Sequence, residues 1–243
     1  MGRARDGRLL PHQDARIPDA HGYESFTGCP VEILAVEFFP LAQCYVSGGN
    51  DSMIRCWNST DLGRVATLRG HNESVTCLAV DANFLFSGSE DGAVLIWNLS
   101  VLGDVVGVAD APEVTLEPTA MIEAHPGATV HAMLMLPSLG LLATCGSDSK
   151  VNVWDYTVTA FDPIEAAAAA VADADGEGEG KVPADFSSPP RDPDAVDLVG
   201  KLVSGFSCGE HEPRCLCASV LGDGRVSVLA GTKEGTITRV EVS

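Results

Sequence analysis

Short apolar or β-branched runs recur along this chain, each followed by a cluster of Gly, Ser, Asn and Asp and then by a second run. In Val151-Asn-Val-Trp154 apolar and polar positions alternate with a period of two, which marks a half-buried strand and not a helix. Run, turn, run is the pattern of a β-hairpin. It occurs at 45–58, 85–98 and 142–155, and more weakly at 229–240. A further strand is predicted upstream of each hairpin, at 31–39, 75–80, 130–136 and 214–220, and two more β-type segments lie at 63–68 and 119–122. Each unit therefore holds about four strands. A lone four-stranded sheet has two faces to cover, so such units must shelter one another.

The hairpins share one spacing. Asp51, Asp91 and Asp148 each precede a Trp by six residues (Trp57, Trp97 and Trp154), and Ser47, Ser87 and Thr144 each lie four residues before the Asp. Repeats of this kind dictate architecture before any site can be discussed. The predicted fold class is all-β, with four-stranded sheets set as about four blades of a β-propeller, a partial or incomplete ring. Gly70-His71, and Asn58, Asn98 and Asp155 directly after the tryptophans, make the match specific. On these residues the chain resembles the WD-repeat (WD40) β-propeller family over about 28–243, apart from insertions. The resemblance implies a hydrogen-bonded tetrad that staples each blade. In the second repeat it would be His71, Ser87, Asp91 and Trp97; in the third, His125, Thr144, Asp148 and Trp154. The first repeat has Ser47, Asp51 and Trp57 but no His at the expected place. The fourth keeps His211 but has Ala230, Glu234 and Val240 elsewhere. Rings of this family usually have seven blades. Four leave three readings open: a half-ring completed by another polypeptide, a fragment, or a compact four-blade ring. The last unit ends after its third strand, and the segment around 16–26 is a candidate for the missing one.

The chain has 243 residues, enough for one large domain, and a net charge of −19. Residues 160–197 hold ten acids and two bases, a net of −8 that leaves −11 elsewhere. Such charge repels phosphate, so nucleic acid and anionic membrane are disfavoured, whereas basic partners such as Lys/Arg-rich tails are admitted; the plainer reading is solubility. The eight cysteines form no C-x-x-C and mostly fall in strands, which predicts buried free thiols in a reducing, cytoplasmic compartment. No apolar stretch is long enough for a membrane span, and no signal peptide is visible.

Residues 1–27 read as an N-terminal arm, mobile or blade-completing. Insertions are expected at 100–118 and 157–198. The second holds an Ala-rich helix candidate at 165–172, and its acidic, low-complexity remainder reads as disordered. Both insertions sit between the Trp strand and the next outer strand, so both should leave one face of the disc. The opposite face keeps tight turns at 50–51, 90–91 and 147–148.

The search for chemistry yields little. Asp173-x-Asp175-x-Glu177-Gly178 starts like a calcium loop, but Ala184 stands where the closing Glu belongs. Cys215 and Cys217 with His211 make a poor zinc site, because a structural site wants four ligands. No G-x-S-x-G, H-E-x-x-H or G-K-[ST] occurs. His, Ser and Asp invite a triad reading, yet the trio recurs once per repeat together with a Trp. A staple must be built in every blade; a catalytic site need not be. No catalytic, cofactor-binding or metal residue is assigned. The expected function is a non-catalytic protein–protein interaction scaffold. Asn50, Glu90, Ser147 and Lys233, just before the turn acids, are its candidate partner-facing residues. The alternatives are a propeller subunit or adaptor of an enzyme complex, of the ubiquitin-ligase or chromatin type, and a hydrolase using the central channel. Residues 71–80, 84–92, 215–218 and 230–237 also resemble WD-repeat proteins of cilia and flagella, which would make the chain a structural component of the axoneme.

Overall fold

The computed structural model describes residues 17–23, 28–106, 108, 112–156, 200–220 and 225–242. The second insertion, with its helix candidate at 165–172 and its calcium-loop motif, lies wholly outside the described residues. Four sheets follow one another along the chain, antiparallel throughout except for one strand pair in the first. Blade 1 holds β1 (Ile33–Phe39), β2 (Cys44–Gly49), β3 (Ile54–Asn58) and β4 (Arg64–Leu68). Blade 2 comprises β5 (Val75–Asp81), β6 (Phe84–Ser89), β7 (Val94–Asn98) and β9 (Ala120–Ile122). Blade 3 comprises β10 (Val130–Leu136), β11 (Leu141–Gly146), β12 (Lys150–Asp155) and β13 (Lys201–Ser207). Blade 4 has three described strands, β14 (Pro213–Val220), β15 (Val226–Thr232) and β16 (Ile237–Val242).

Between β7 and β9 the chain forms a short helix, α1 (Leu102–Val105), and β8 (Val114–Leu116). The first insertion is therefore more than an appendage. β8 pairs parallel with β4, aligning Ala66 with Val114 and Leu68 with Leu116, so that blade 1 gains a fifth strand. Arg64 and Thr67 both hydrogen-bond Glu113 and fix the register there. Val114 and Leu116 pack against the core beneath, and α1 buries Leu102 in it.

Blades stack through alternate side chains, because successive residues of a strand point to opposite faces. The first seam packs Val46, Ile54, Cys56 and Leu68 of blade 1 against Val75, Leu85, Leu95 and Trp97 of blade 2. The second joins Phe86, Val94 and Ile96 of blade 2 to Val130, Leu142 and Trp154 of blade 3. The third joins Ala143, Cys145, Val151 and Val153 to Val226, Val228 and Ala230 of blade 4. The innermost strands β1, β5, β10 and β14 lie side by side in that order. No comparable packing links β14 back to β1 among the described residues, so the four blades form an open arc.

Of the eight cysteines, Cys44, Cys56, Cys145 and Cys208 are buried as expected, but Cys29, Cys215 and Cys217 are exposed. Burial pushes the thiol of Cys44 up to about 11 and that of Cys145 up to about 12, which keeps both protonated and unreactive.

Candidate interaction face and its blade staples

Each blade makes the same turn between its second and third strands. The residue after the turn acid takes a left-handed conformation in all four: Ser52 (φ 59°), Gly92 (φ 83°), Ser149 (φ 61°) and Gly235 (φ 82°). Gly92 is also forced by space, since a Cβ there would lie 2.2 Å from the His125 carbonyl oxygen. The acid itself shapes the turn. Asp51 Oδ1 accepts from the Met53 amide (3.2 Å), Asp91 Oδ1 from Ala93 (2.9 Å) and Asp148 Oδ1 from Lys150 (3.2 Å). Such local side-chain bonds mimic a backbone turn.

The same three carboxylates reach a buried histidine. In blade 2, His71 Nδ1 lies 3.1 Å from Asp91, its Nε2 lies 2.7 Å from Ser87 Oγ, and Trp97 Nε1 donates to that oxygen at 2.8 Å. In blade 3, His125 stands 2.9 Å from Asp148 and 3.0 Å from Thr144 Oγ1, to which Trp154 donates at 3.0 Å. One tautomer satisfies every link: Nδ1–H donates to the carboxylate, Nε2 accepts the hydroxyl proton, and the hydroxyl oxygen accepts the indole N–H. Burial holds His71 and His125 below the ordinary histidine range and outweighs the pull of their aspartates, so both are neutral at neutral pH. Burial alone would raise Asp91, but hydrogen bonds from the Ala93 and Asn72 amides and from His71 bring it below the usual carboxylate range.

Blade 1 corrects the reading of an absent histidine. His21 takes the place: Nδ1 lies 3.0 Å from Asp51, Nε2 lies 2.8 Å from Ser47 Oγ, and Trp57 donates to the same hydroxyl at 2.8 Å. The sequence hid it by distance. His71 and His125 precede their hydroxyl residues by 16 and 19 positions, whereas His21 precedes Ser47 by 26. On either side of the extra residues the Val31 amide donates to the Gly22 carbonyl and Tyr23 pairs with Pro30. The one available signal was His21-Gly22, the Gly70-His71 pair in reverse order. Arg55 adds a group that the other two clusters lack, donating to Asp51 Oδ2 at 2.7 Å. For Asp51, too, burial raises and the bonds from His21 and Arg55 lower, with a net depression.

Blade 4 has no such network. His211 is half exposed, 3.7 Å from Glu234, and Ala230 and Val240 fill the other two positions with buried apolar groups.

The candidate contact residues Asn50, Glu90, Ser147 and Lys233 prove to be equivalent. The amide of each donates to a carbonyl in the loop entering its own blade: to Glu32 (3.0 Å), Ser74 (3.0 Å), Thr129 (3.0 Å) and Glu212 (2.9 Å). Their side chains close the same gap. Asn50 Oδ1 accepts from the Glu32 amide (3.1 Å), Glu90 from Ser74 Oγ (2.8 Å) and Ser147 Oγ from the Thr129 amide (2.9 Å); Lys233 Nζ stands 3.6 Å from Glu212. Turn and entry loop are thus tied in every blade, and all four residues lie on one face of the arc. That face is acidic. Glu32, Glu73, Glu90, Glu210 and Glu234 are exposed on it, and Asp51, Asp91, Asp148 and Glu212 stand half-buried between them, outnumbering the exposed bases Lys150, Arg214 and Lys233 that pair with Asp148 and Glu212.

The buried hydroxyls speak against a nucleophile. Ser87 and Thr144 are fully buried, and each is engaged by both His and Trp. Among the described residues no group of three or more His, Cys, Asp or Glu is placed to hold a metal ion, and no helix is long and apolar enough to cross a membrane.

Residues 63–98 and 116–155 match the family model for the WD domain, G-beta repeat. They span β4 to β7 and β9 to β12. The chain is 30% identical over 118 residues to the small ribosomal subunit protein RACK1y of Oryza sativa subsp. japonica, which covers 48% of this chain and 30% of that protein. It is 32% identical over 127 residues to striatin-4 of Mus musculus, covering 51% of this chain and 15% of that one. Each match thus spans less than a third of the relative's own length. Among solved structures, Sqt1 of Saccharomyces cerevisiae superposes with a TM-score of 0.57 at 13% identity, over 86% of this chain and 44% of that one. The computationally designed Ika4 protein gives 0.55 at 19%, over 90% and 96%. Both structural likenesses speak to fold alone. Spacing, hydrogen-bonded clusters, sheet order and repeat matches converge: the chain is built from WD repeats, with residues 63–98 and 116–155 matched by the family model.

Proposed function

We propose that this chain is a non-catalytic scaffold for protein–protein interaction, and that its short-turn face receives the partner. The observation carrying this reading is the fourfold tie of Asn50, Glu90, Ser147 and Lys233 to the entry loops. Groups held in place by backbone hydrogen bonds lose little entropy on binding, so a rigid rim of loops makes a good recognition surface. The His–Ser/Thr–Asp–Trp clusters serve as staples beneath it. Its acidity favours a basic partner, such as a Lys/Arg-rich tail, and disfavours nucleic acid and anionic membrane.

Affinity purification compares the wild-type chain with a Glu32→Lys, Glu90→Lys double variant. Both side chains are exposed, so the fold should survive. Partners held by this face drop out of the variant's eluate and elute at lower salt from the wild type. An unchanged set of co-purifying chains would refute the assignment of this face. Two narrower versions remain within the proposal, an adaptor of an enzyme complex and a structural component of the ciliary axoneme. The second rests on the repeat residues at 71–80, 84–92, 215–218 and 230–237. A tagged copy spread evenly through the cytosol, with none in cilia, removes it.

A further inference from the structure

The two ends of the arc present matching halves of a seam. At the first and second seams a glycine on one blade takes a valine of the next. A Cβ on Gly48 would lie 2.6 Å from Val75 Cγ1, and one on Gly88 would lie 2.8 Å from Val130 Cγ1. Strand register makes Gly231 the counterpart of Gly48 and Gly88, since each sits beside the bulge in its blade's first two strands (Ala35↔Gly48, Cys77↔Gly88, Cys215↔Gly231). Register likewise makes Ile33 the counterpart of Val75 and Val130. Gly231 meets only Cys215 of its own blade, and Ile33 is 43% exposed. Around Ile33, blade 1 exposes Val36 (64%) together with Phe38 and Tyr45. With Ile17, Ala20 and Trp57, several of these line a groove of about 280 Å³. Around Gly231, blade 4 exposes Cys215, Cys217, Leu229 and Ile237 (76%). Apolar patches of this kind on a folded chain mark contact surfaces.

We propose that a second copy of this chain covers both flanks, head to tail, so that blade 4 of each copy packs on blade 1 of the other and eight sheets close into one ring. The occupant follows from the residues. The knob and the slot are built as in the chain's own first two seams, with Ile33 for valine and Gly231 for glycine. Within one chain the arc does not bring them together. Two identical head-to-tail contacts close on a two-fold axis and leave no free flank, where any other number leaves a different ring or an open filament. The inference is independent of the scaffold reading, because it concerns the blade flanks and not the short-turn face.

The test is the solution mass of the full 243-residue chain by sedimentation, from about 1 to 100 µM. The expected species is a dimer. It should tighten as salt is raised, since the contact is apolar and each copy carries −19. Val36→Asp and Ile237→Asp should each weaken it at least about tenfold. Both side chains are exposed in the single chain, so circular dichroism and the melting point of the diluted variants should match wild type. Mixing the two variants should restore a heterodimer, because one of its two seams is then free of substitutions. A monomer throughout the range would overturn the proposal. So would a dimer that ignores Ile237→Asp, which would place blade 1 against blade 1. Oligomers growing beyond two copies, or a dimer that salt dissolves, would overturn it as well.

Discussion

Asp91 and Asp148 each satisfy a turn and a histidine with one carboxylate. Truncation to alanine strands the Nδ1–H of a buried imidazole and a turn amide together. Asp91→Ala and Asp148→Ala should each lower unfolding stability by about 1–3 kcal/mol, read by denaturant titration. Asp91→Asn keeps an acceptor oxygen and should lose less. Equal losses for Ala and Asn would show that charge, and not the turn, carries the effect. His21→Ala should cost blade 1 as much as His71→Ala costs blade 2, because it leaves Ser47 and Asp51 without the same partner. A smaller loss would mean that the Arg55 bond to Asp51 compensates. The pH dependence has two windows. Unfolded histidine titrates near 6.5, whereas native His71 and His125 are held lower by burial. Between those values the unfolded chain binds more protons, so their contribution is complete above about pH 6.5 and is lost as pH falls below it. Asp51 and Asp91 are also depressed, and their contribution is present above about pH 4 and lost below. The melting temperature should therefore step down twice on acidification. A flat profile between pH 7 and 5 would contradict the neutral, buried histidines.

At the level of strands and turns, legibility followed locality. The hairpins, their turn acids and the tryptophans were readable because six- and four-residue spacings are enforced by one turn and one strand, with no help from distant chain. The four inner strands and the outer strands of blades 1 and 2 were placed to within two residues, but β13, the outer strand of blade 3, was not predicted, because it follows a long insertion that breaks the repeat spacing. His21 was not readable, since an excursion between Gly22 and Val31 breaks the spacing that located His71 and His125. β8 was not readable either. It is three residues long and pairs in parallel through backbone bonds to β4, and no side-chain pattern announces that. The exposure of Cys215 and Cys217 escaped too. Their alternation was visible, but which side of the strand a neighbour covers is decided by the arc. Seam geometry gives a test at this scale. Gly88→Ala puts a methyl against Cys77 Sγ and Val130 Cγ1 and should cost about 1–3 kcal/mol by overpacking. Gly103→Ala, where nothing lies within 4 Å, should not destabilise. If the two melt alike, the seams are looser than the distances imply.

For the molecule as a whole, stability in stacked repeats is commonly a sum of each unit and its nearest neighbours, so that end units fray first. The route of the chain around blade 2 departs from that arithmetic. After β7 it crosses to the rim of blade 1, lays down β8 beside β4, and only then returns to finish blade 2 with β9. Blade 1 cannot peel away until that clasp lets go, and the clasp is anchored at both ends in blade 2. Amide exchange should accordingly show β4 and β9 opening together, at one free energy. Cutting the contact with Glu113→Ala, which removes the partner of Arg64 and Thr67, should let the first blade exchange faster than the second. The detour thus works as a buckle, turning what would be the weak margin of a row of modules into a two-blade unit that holds or opens in one step.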